Sequence, residues 1–326
     1  MAHGPDSKAP PPNIILSVPE SCVGLRADIG LTRIIQRLSR SKARRILLAG
    51  VHGAGERTLK PSSRLLPGEV LRWYREPLPE PALPDNIDIV WQDETALALD
   101  KPAGLPVHST ARHHQYTVVN YLKQRFLRLA PHPAHRIDMD TSGLLLCYWA
   151  PHGPHYKRLF FEQRVDKQYL AITRGEIDTD SVTIDLPLAL DEYSTLGIRM
   201  TVHDSGAPAR TRVRVLARGN GYTLIEVVPL SGRQHQIRAH LAHLGHPLIG
   251  DTLYGQSDAF FRDICAGSIS PAQRLARLAF PRHALHAAKL AVARPDGLAL
   301  ELSAPLAPDM LAFCARHFPD WTCASK

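Results

Sequence analysis

The sequence predicts an α+β protein with a small, mostly helical module followed by a larger domain. The larger domain is expected to hold a mainly antiparallel β-sheet with flanking helices. Three observations lead to this prediction. The chain has 326 residues, enough for one large domain and a small one. With 44% apolar and 21% charged residues, it has the composition of a globular protein. Short β-rich runs follow one another, with a few helical segments between them.

Composition divides the chain into four segments. Residues 1–18 begin with a run of Pro and small polar residues, which favours a flexible tail. Residues 19–76 form a small basic module. Residues 77–86 are assigned to a stiff linker, because the stretch "EPLPEPALPD" (residues 76–85) has four prolines in ten residues. Residues 87–326 form the larger domain.

Two helices are predicted in the small module. Apolar residues recur at helical spacing from Leu31 to Leu38, and Ser39 or Ser41 can cap a second helix that Gly50 ends. The same stretch carries cations with no acid among them: Arg33, Arg37, Arg40, Lys42, Arg44 and Arg45. Such a face suits nucleic-acid phosphates, and Arg40, Lys42 and Arg44 are the candidate contacts. The alternative is an ordinary solvated helix surface.

The larger domain contains five β-rich runs and three helical runs. The strands are predicted in "IDIVWQDETALALDKPAG", "GLLLCYWA", "KQYLAITRG", "RTRVRVLARG" and "YTLIEVVPL". The helices are predicted in "TVVNYLKQRFLRLA", "PHYKRLFFEQRV" and "RQHQIRAHLAHLG". Strands in series, interrupted by a few helices, indicate an antiparallel sheet rather than repeated βαβ units.

A polar cluster stands at the entrance of one predicted buried strand, in "HRIDMDTSGLLLCYWA". The "DTSG" portion is typical of a turn, so Asp138 lies at the mouth of the strand. Asp138 and Asp140 could simply cap backbone amides of that turn. This interpretation fits Asp140 but leaves His135 and Arg136 unexplained.

A second cluster lies in "SGRQHQIRAHLAHLGHPLIGDTLYG". Ser231 can cap a helix with an apolar stripe, and Gly245 fits its C-terminal end. Arg238 stands beside that stripe, where a guanidinium must find an anion or reach solvent. Spacing alone favours an arginine that reaches solvent, whereas Asp138 is a candidate anion.

The histidines of this second cluster do not predict a metal site. They are spaced five, three and three residues apart with no Glu between them, unlike a zinc helix: His235, His240, His243 and His246. We expect them to be core or phosphate-contacting residues.

Charge and cysteine usage limit the environment of the protein. The net charge of +8 favours a polyanionic partner, nucleic acid above all. The five cysteines are scattered and include no CxxC pair, which argues against a disulfide framework or a cysteine zinc site. No apolar run is long enough for a membrane span, and no signal peptide is evident, so we expect a cytoplasmic protein without membrane contact.

Two further residues are ambiguous on their own. Tyr169 stands near the start of the strand in "DKQYLAITRG", where it can face a cleft or pack in the core. Lys101 precedes Pro-Ala-Gly in "LDKPAGLPVHS", a sharp turn after a strand that is not specific to any function.

Taken together and in order, these segments resemble the RluA-type pseudouridine synthases. The resemblance covers essentially all of residues 87–310. Its motifs are "DKPAGLPVH", "HRIDMDTSGLLL", "DKQYLAITRG", "SGRQHQIRAHLAHLGHPLIGDTLYG" and "RHALHAAKL". The small module resembles a degenerate S4 RNA-binding domain. It departs from the usual Val-x-Val-Asn-Gly pattern, because Gly50-Val51 is followed here by His52-Gly53.

The resemblance implies a central catalytic cleft and a reaction. This family detaches uracil from C1′ of selected uridines in RNA and rejoins it through C5, with no cofactor and no metal. The target base must be flipped out of the RNA stack. We expect a monomer that acts on structured RNA, with ribosomal RNA favoured over transfer RNA.

The resemblance also implies roles for individual residues. Asp138 is the catalytic carboxylate, acting either as a nucleophile or on a sugar proton, and Arg238 keeps it ionised through a bidentate contact. Tyr169 stacks on the flipped uracil, and its hydroxyl could help to remove the C5 proton. Arg136 takes the place of the flipped base. The remaining RNA contacts are expected from His135, Lys101, Lys167, Arg233 and His235.

Two other functions compete with this interpretation. A glycosidase could use Asp138 and Asp140, which would lie roughly 6.5–7 Å apart in an extended chain. The turn breaks that geometry, and the chain is only 6% aromatic, which leaves few platforms for sugar stacking. A non-catalytic RNA-binding protein is the other alternative, and the presence of every expected catalytic residue type argues against it.

Overall fold

The computed structural model describes residues 14–35, 38–73, 80–110 and 112–322. The chain divides into two compact units, residues 1–79 and 80–326. This division falls inside the predicted linker 77–86, of which residues 77–79 lie outside the described part. Of the predicted tail 1–18, residues 1–13 also lie outside it.

The first unit combines two helices with a small sheet. Its elements are β1 (Ile14–Ser17), α1 (Ala27–Ile34), α2 (Arg40–Leu48), β2 (Val51–His52), β3 (Thr58–Leu59) and β4 (Val70–Trp73). The strands pair antiparallel in the order β1–β4–β2–β3. Leu31, Leu47 and Leu71 meet in the core. As predicted, Ser39 caps α2, accepting a hydrogen bond from the Lys42 amide.

The first unit contains both predicted helices and, in addition, a small sheet that was not predicted. Two of its strands have only two residues, too short to show an alternating pattern. β1 lies in the stretch predicted as a tail. Its Ile14 and Leu16 pack against the core, whereas Ile15 and Ser17 are exposed.

The second unit confirms the mainly antiparallel sheet with flanking helices. Its helices are α3 (Val118–Phe126), α4 (Gly153–Phe161), α5 (Gln236–His243), α6 (Asp258–Ala266), α7 (Pro271–Leu278) and α8 (Pro308–His317). Its strands are β5 (Ile89–Gln92), β6 (Ala96–Lys101), β7 (His132–Pro133), β8 (Ser142–Tyr148), β9 (Asp166–Arg174), β10 (Ser181–Asp185), β11 (Leu188–Leu190), β12 (Met200–Val202), β13 (Arg210–Gly219), β14 (Tyr222–Pro229), β15 (Leu285–Ala293) and β16 (Ala299–Ser303).

One large sheet organises this unit. Its main path runs β10–β13–β14–β9–β15–β8–β6–β5, with β16 on β15 and β7 on β8, while β11 and β12 form a separate ribbon. Among the described strands, β8 and β15 are the one parallel pair. All seven residues of β8 are buried, which explains the unbroken apolar run in its sequence. Helix α3 packs on one side of it through Val118 and Leu122.

Two glycines permit close backbone contacts near the ends of these strands. At Gly143, with φ +100°, an added Cβ would lie 2.3 Å from the Ala287 carbonyl oxygen, so glycine is required where β8 meets β15. At Gly250, with φ +74°, a Cβ would lie 1.6 Å from the Arg282 carbonyl oxygen. Both contacts fix loops that carry charged side chains of the candidate site.

Within the described residues, no helix has the length and apolar character of a membrane span.

Candidate active site

A cleft lies between the connection from β7 to β8, strand β9 and the loop that leads into α5. Its volume is about 340 Å³, within the range of small-ligand pockets. Most of the predicted site residues line it: His135, Arg136, Asp138, Lys167, Tyr169, Arg233, His235 and Arg238. Lys101 does not line it, and Arg40, Lys42 and Arg44 belong to the first unit.

Asp138, Arg238 and Asp251 form the buried charge cluster of this cleft. Arg238 donates from Nη1 to Asp138 Oδ2 at 2.8 Å. It donates from Nε and Nη2 to the two carboxylate oxygens of Asp251, at 2.7 and 2.8 Å. The Asp251 side chain is fully buried, and the Arg238 side chain is only 7% exposed. One guanidinium therefore joins two carboxylates that come from distant parts of the chain.

This geometry confirms that Asp138 and Arg238 meet but corrects the expected bidentate contact. The two-pronged contact is made to Asp251, and Asp138 receives a single hydrogen bond. Asp251 also accepts from the amides of Leu253 and Tyr254, and the Tyr254 ring lies 5.0 Å from the guanidinium carbon. Asp251 was not among the predicted site residues, although it stands in the same motif as Arg238, directly after Gly250.

The buried charge cluster keeps Asp138 ionised. Burial alone would raise the pKa of its carboxyl, but the positive charge of Arg238 and its hydrogen bond outweigh burial and hold the pKa well below its usual range. Burial likewise opposes the charge of Arg238, yet Asp251 and Asp138 raise the pKa of its guanidinium further. At neutral pH the cleft thus contains a carboxylate with a bound counter-ion, the form that either a nucleophile or a base needs.

Tyr169 faces the same cleft from β9. Its ring packs against three core clusters, and it pairs across the sheet with Val227 on β14 and Ala287 on β15. Burial, together with the negative charge of Asp138, raises the pKa of its hydroxyl. The tyrosine is therefore neutral at neutral pH and presents an aromatic ring with an O–H group.

His135 and Arg136 stand side by side but in different environments. The His135 ring stacks on Phe160 with the ring centroids 4.5 Å apart, and its Nε2 accepts the Leu146 amide hydrogen at 3.1 Å. Burial, helped by the charge of Lys167, lowers the pKa of His135 to about 3, so this ring is neutral. The Arg136 side chain is exposed at the cleft. His135 is thus a fixed neutral support, while Arg136 can reach an incoming ligand.

Comparison with known proteins identifies the chain. The sequence model of the RNA pseudouridylate synthases matches residues 95–243. The ribosomal large subunit pseudouridine synthase D of Yersinia pestis is 32% identical over 322 residues, covering 90% of this chain and 91% of that protein. An RNA pseudouridine synthase of Chloroflexus aurantiacus is 34% identical, covering 91% of each chain. This chain belongs to the RluA-type RNA pseudouridine synthases.

A solved structure extends the likeness to the fold. The structure of human RNA pseudouridylate synthase domain containing 1 matches with a TM-score of 0.56 and 26% identity, and the match covers 73% of this chain and 97% of the human one. As a pseudouridine synthase, the protein is an isomerase that converts uridine in RNA to pseudouridine. All residues that line the cleft, except Leu285, lie in the part of the chain that the family model matches.

Lys101 is placed where this synthase cannot use it on RNA. It is fully buried, and its Nζ donates to the carbonyls of Pro102, Leu105 and Met139 at 2.7 to 2.9 Å. Burial lowers its pKa to about 7, and the largest opposing influence is the charge of Asp140. The prediction of an RNA contact is therefore corrected: Lys101 ties the turn after β6 to the Asp138 loop.

His235 and Ser231 set the start of α5. His235, with φ 54°, is the residue before the helix, and its Nδ1 lies 3.1 Å from the Tyr254 hydroxyl. Burial, together with the charge of Arg238, lowers the pKa of His235 to about 4. The prediction that Ser231 caps this helix is wrong. The Ser231 hydroxyl donates to the Gln236 side chain instead. A neutral His235 fits the cleft wall better than it fits a phosphate contact.

The predicted contacts on α2 differ from one another. Arg40 donates to the buried carboxylate of Asp28 at 3.1 Å, and Asp28 also holds Arg26. This gives Arg40 a structural partner within its own unit. Lys42 and Arg44 are exposed, as RNA contacts would need to be.

A second network behind the Asp138 loop was not predicted. Arg282 pairs with Asp309 and donates to the Asp140 carbonyl at 3.0 Å and to the Ser142 hydroxyl at 3.1 Å. Thr141 bonds to His283 at 2.8 Å. These contacts link the loop to the chain before β15.

Within the described ranges, no group of three or more His, Cys, Asp or Glu side chains is arranged to hold a metal ion.

Proposed function

We propose that this synthase modifies uridines of large-subunit ribosomal RNA, with Asp138 as the catalytic carboxylate. The substrate class is taken from relatives named ribosomal large subunit pseudouridine synthase D, which align over about nine-tenths of the chain. The catalytic assignment is supported by one observation above all. The positive charge of Arg238 keeps Asp138 in its carboxylate form, and Asp138 lies in a cleft beside Tyr169.

The reaction makes defined demands on these residues. The N1–C1′ bond of the uridine breaks, a C5–C1′ bond forms, and the proton lost from C5 is balanced by one gained at N1. Asp138 acts on the nucleoside while ionised, either by attack or by removal of a sugar proton. Arg238 keeps it in that state and, through its contact with Asp251, in one position.

Tyr169 is assigned first to stacking on the flipped uracil. Its raised pKa makes the phenolate unfavourable, so the resting hydroxyl is a weak base for the C5 proton. Its ring, fixed by three core clusters, offers a rigid face to the base. Flipping costs a few kcal/mol, and such a face helps to offset it.

Cations around the cleft are assigned to the RNA backbone and to the vacated base position. Arg136 takes the place of the flipped base, and Lys167 and Arg233 contact phosphates. Burial lowers the pKa of Lys167, with Asp166 opposing the shift. A phosphate brought close to this amine would favour its charged form.

The first unit is assigned to RNA binding as an S4-like module. Its support is the sequence resemblance and the exposed Lys42 and Arg44 on α2. The same proposal includes a monomer that works in the cytoplasm, where the scattered cysteines would stay reduced.

A map of pseudouridine in total RNA tests the substrate. Cells with the gene, cells without it, and cells complemented with Asp138→Asn should be compared. We expect one or a few large-subunit ribosomal positions to lose pseudouridine in the deletion and to regain it only with the wild-type gene. Loss confined to transfer RNA would contradict the proposed substrate, and restoration by Asp138→Asn would contradict the proposed catalytic residue.

A further inference from the structure

Phe161, the last residue of α4, is a large apolar side chain left open to solvent at the cleft. It is 88% exposed, and it lines the same cleft as Asp138 and Tyr169. Single exposed apolar side chains are common on protein surfaces and need no function. The position of Phe161, rather than its exposure alone, therefore calls for an explanation.

The two phenylalanines at the end of α4 are used in opposite ways. Phe160 also lines the cleft, but it stacks on His135 and packs against a core cluster. Phe161 lines the same cleft but is exposed, and no ring contact is found for it among the described residues. The core therefore accounts for Phe160 but leaves Phe161 without a packing role.

Several cations line the cleft beside Phe161, and the adjacent carboxylate of Glu162 is paired with Arg164 at 3.5 Å. Arg136 and Lys167 line the same cleft, and Arg158, one turn earlier on α4, is exposed on the same helix face. Among the described residues, Asp138 is the only carboxylate that lines the cleft, and Arg238 already pairs with it. Aromatic side chains among unpaired cations are typical of surfaces that bind single-stranded RNA.

We propose that Phe161 is a stacking platform for an unpaired nucleobase adjacent to the flipped uridine, with Arg158 contacting the neighbouring phosphate. The inference rests on the proposed function, because it assumes that the uridine enters this cleft. It adds a subsite for a second nucleotide. Since every base has an aromatic face, the platform strengthens binding without reading sequence.

Steady-state kinetics on ribosomal RNA from cells that lack the gene test the subsite. Phe161→Ala should raise KM roughly 5- to 150-fold, the range expected when one stacking side chain is removed, with the change falling on KM rather than kcat. Phe161→Trp should restore the wild-type KM. Phe161→Leu keeps an apolar side chain without an aromatic face and should resemble Phe161→Ala. Leu298→Ala, at a 62% exposed residue outside the cleft lining, is the matched control and should behave like wild type.

Fluorescence of a short oligouridine RNA that carries one 2-aminopurine reads stacking directly. In the Asp138→Asn background, which avoids turnover, binding should quench the 2-aminopurine when Phe161 is kept and in the Phe161→Trp variant. It should not do so in Phe161→Ala or Phe161→Leu. Equal quenching by all variants would overturn the proposal, as would an unchanged KM in Phe161→Ala.

A second protein copy is the competing occupant. If Phe161→Ala changes the sedimentation of the protein and leaves 2-aminopurine quenching intact, Phe161 serves self-association and the stacking proposal fails. Failure of the proposed function is a separate result: it would appear as activity in Asp138→Asn, or as no activity of wild type on ribosomal RNA. The binding experiment still tests Phe161 in either case.

Discussion

The buried charge cluster and the rim of the same cleft are built in opposite ways. In the cluster, each of the three nitrogens of Arg238 donates to a carboxylate, and the Asp251 side chain has no exposed surface. The exposed rim, Arg136, Phe161 and Arg233, reaches into solvent. Within the part of the chain that the structure describes, the Arg136 side chain makes no hydrogen bond or ion pair, and Arg233 donates only from Nε, to the Pro208 carbonyl at 3.1 Å.

This difference matches two separate tasks: the buried charge cluster serves catalysis on one nucleoside, and the exposed rim serves RNA binding. A carboxylate that must act on one nucleoside gains from fixed partners, because preorganised charges need no rearrangement during the reaction. A surface that must accept a flexible polyanion gains from long or flat side chains that have few partners in the free protein. Variants in the cluster should therefore change turnover and stability, and variants at the cleft cations should change RNA affinity.

Arg238→Ala should have the largest effect. It leaves two buried carboxylates without their counter-ion, which typically destabilises a protein by about 3–5 kcal/mol. We expect activity to be lost and the thermal midpoint to fall. Arg238→Lys keeps the charge but cannot serve Asp251 with two donors and Asp138 with a third in the same geometry, so it should recover stability better than activity. Normal turnover by Arg238→Ala would contradict the pairing.

The acid dependence of residual activity in Arg238→Gln should sharpen the same point. In the wild type the folded-state pKa of Asp138 is lower than that of an unfolded aspartate, about 3.9. The ionised carboxylate therefore adds to the free energy of unfolding above that pH, and this contribution is lost as pH falls through the folded-state pKa. Without Arg238, burial dominates and the pKa rises. The acid limb of kcat should then move to higher pH. An unmoved acid limb would show that Arg238 does not control ionisation of Asp138.

A matched pair of lysines offers the next contrast. Lys101→Met leaves three carbonyls without their donor, of which that of Leu105 is buried, and should lower the free energy of unfolding by roughly 1–3 kcal/mol, with RNA affinity of the folded protein unchanged. Lys167→Met should weaken RNA binding and change stability little. Urea unfolding and filter binding of the two variants test this. If both variants lowered the free energy of unfolding equally, or weakened RNA binding equally, the proposed difference between the two lysines would be contradicted.

The smallest effect is expected in the first unit. The double variant Lys42→Ala with Arg44→Ala removes two exposed cations, so the slope of log affinity against log salt should become shallower by up to about 1.4 if both contact single-stranded RNA. Turnover at saturating RNA should be unaffected. An unchanged slope would contradict RNA contact by α2.

The family resemblance predicted that Asp138, Tyr169 and Arg238 meet, because each stands in one of its long motifs. Spacing alone favoured an Arg238 that reaches solvent. The sequence did not predict Asp251, since nothing local shows that a carboxylate 13 residues after Arg238 turns back to its guanidinium. It placed Lys101 on RNA because lysines are seldom buried. Only the fold supplies the three carbonyls that accept hydrogen bonds from its ammonium group.

The large sheet was predicted less completely than the cleft. Five strand-rich runs were recognised because of their β-branched and apolar residues. β15, in the middle of the sheet, was not recognised: it is rich in alanine and has no Phe, Tyr or Trp, so its local preference for strand is weak. Its position is set by pairing with β8, β9 and β16, which no local pattern reveals.

Single-turnover conversion of uridine in ribosomal RNA by Asp138→Asn, measured beside its RNA affinity, tests the central claim most directly. The substitution keeps the size of the side chain and one acceptor for Arg238 but removes the charge. We predict no detectable pseudouridine and an RNA affinity close to that of wild type. Wild-type conversion by the Asp138→Asn protein would contradict the assignment of Asp138 as the catalytic carboxylate.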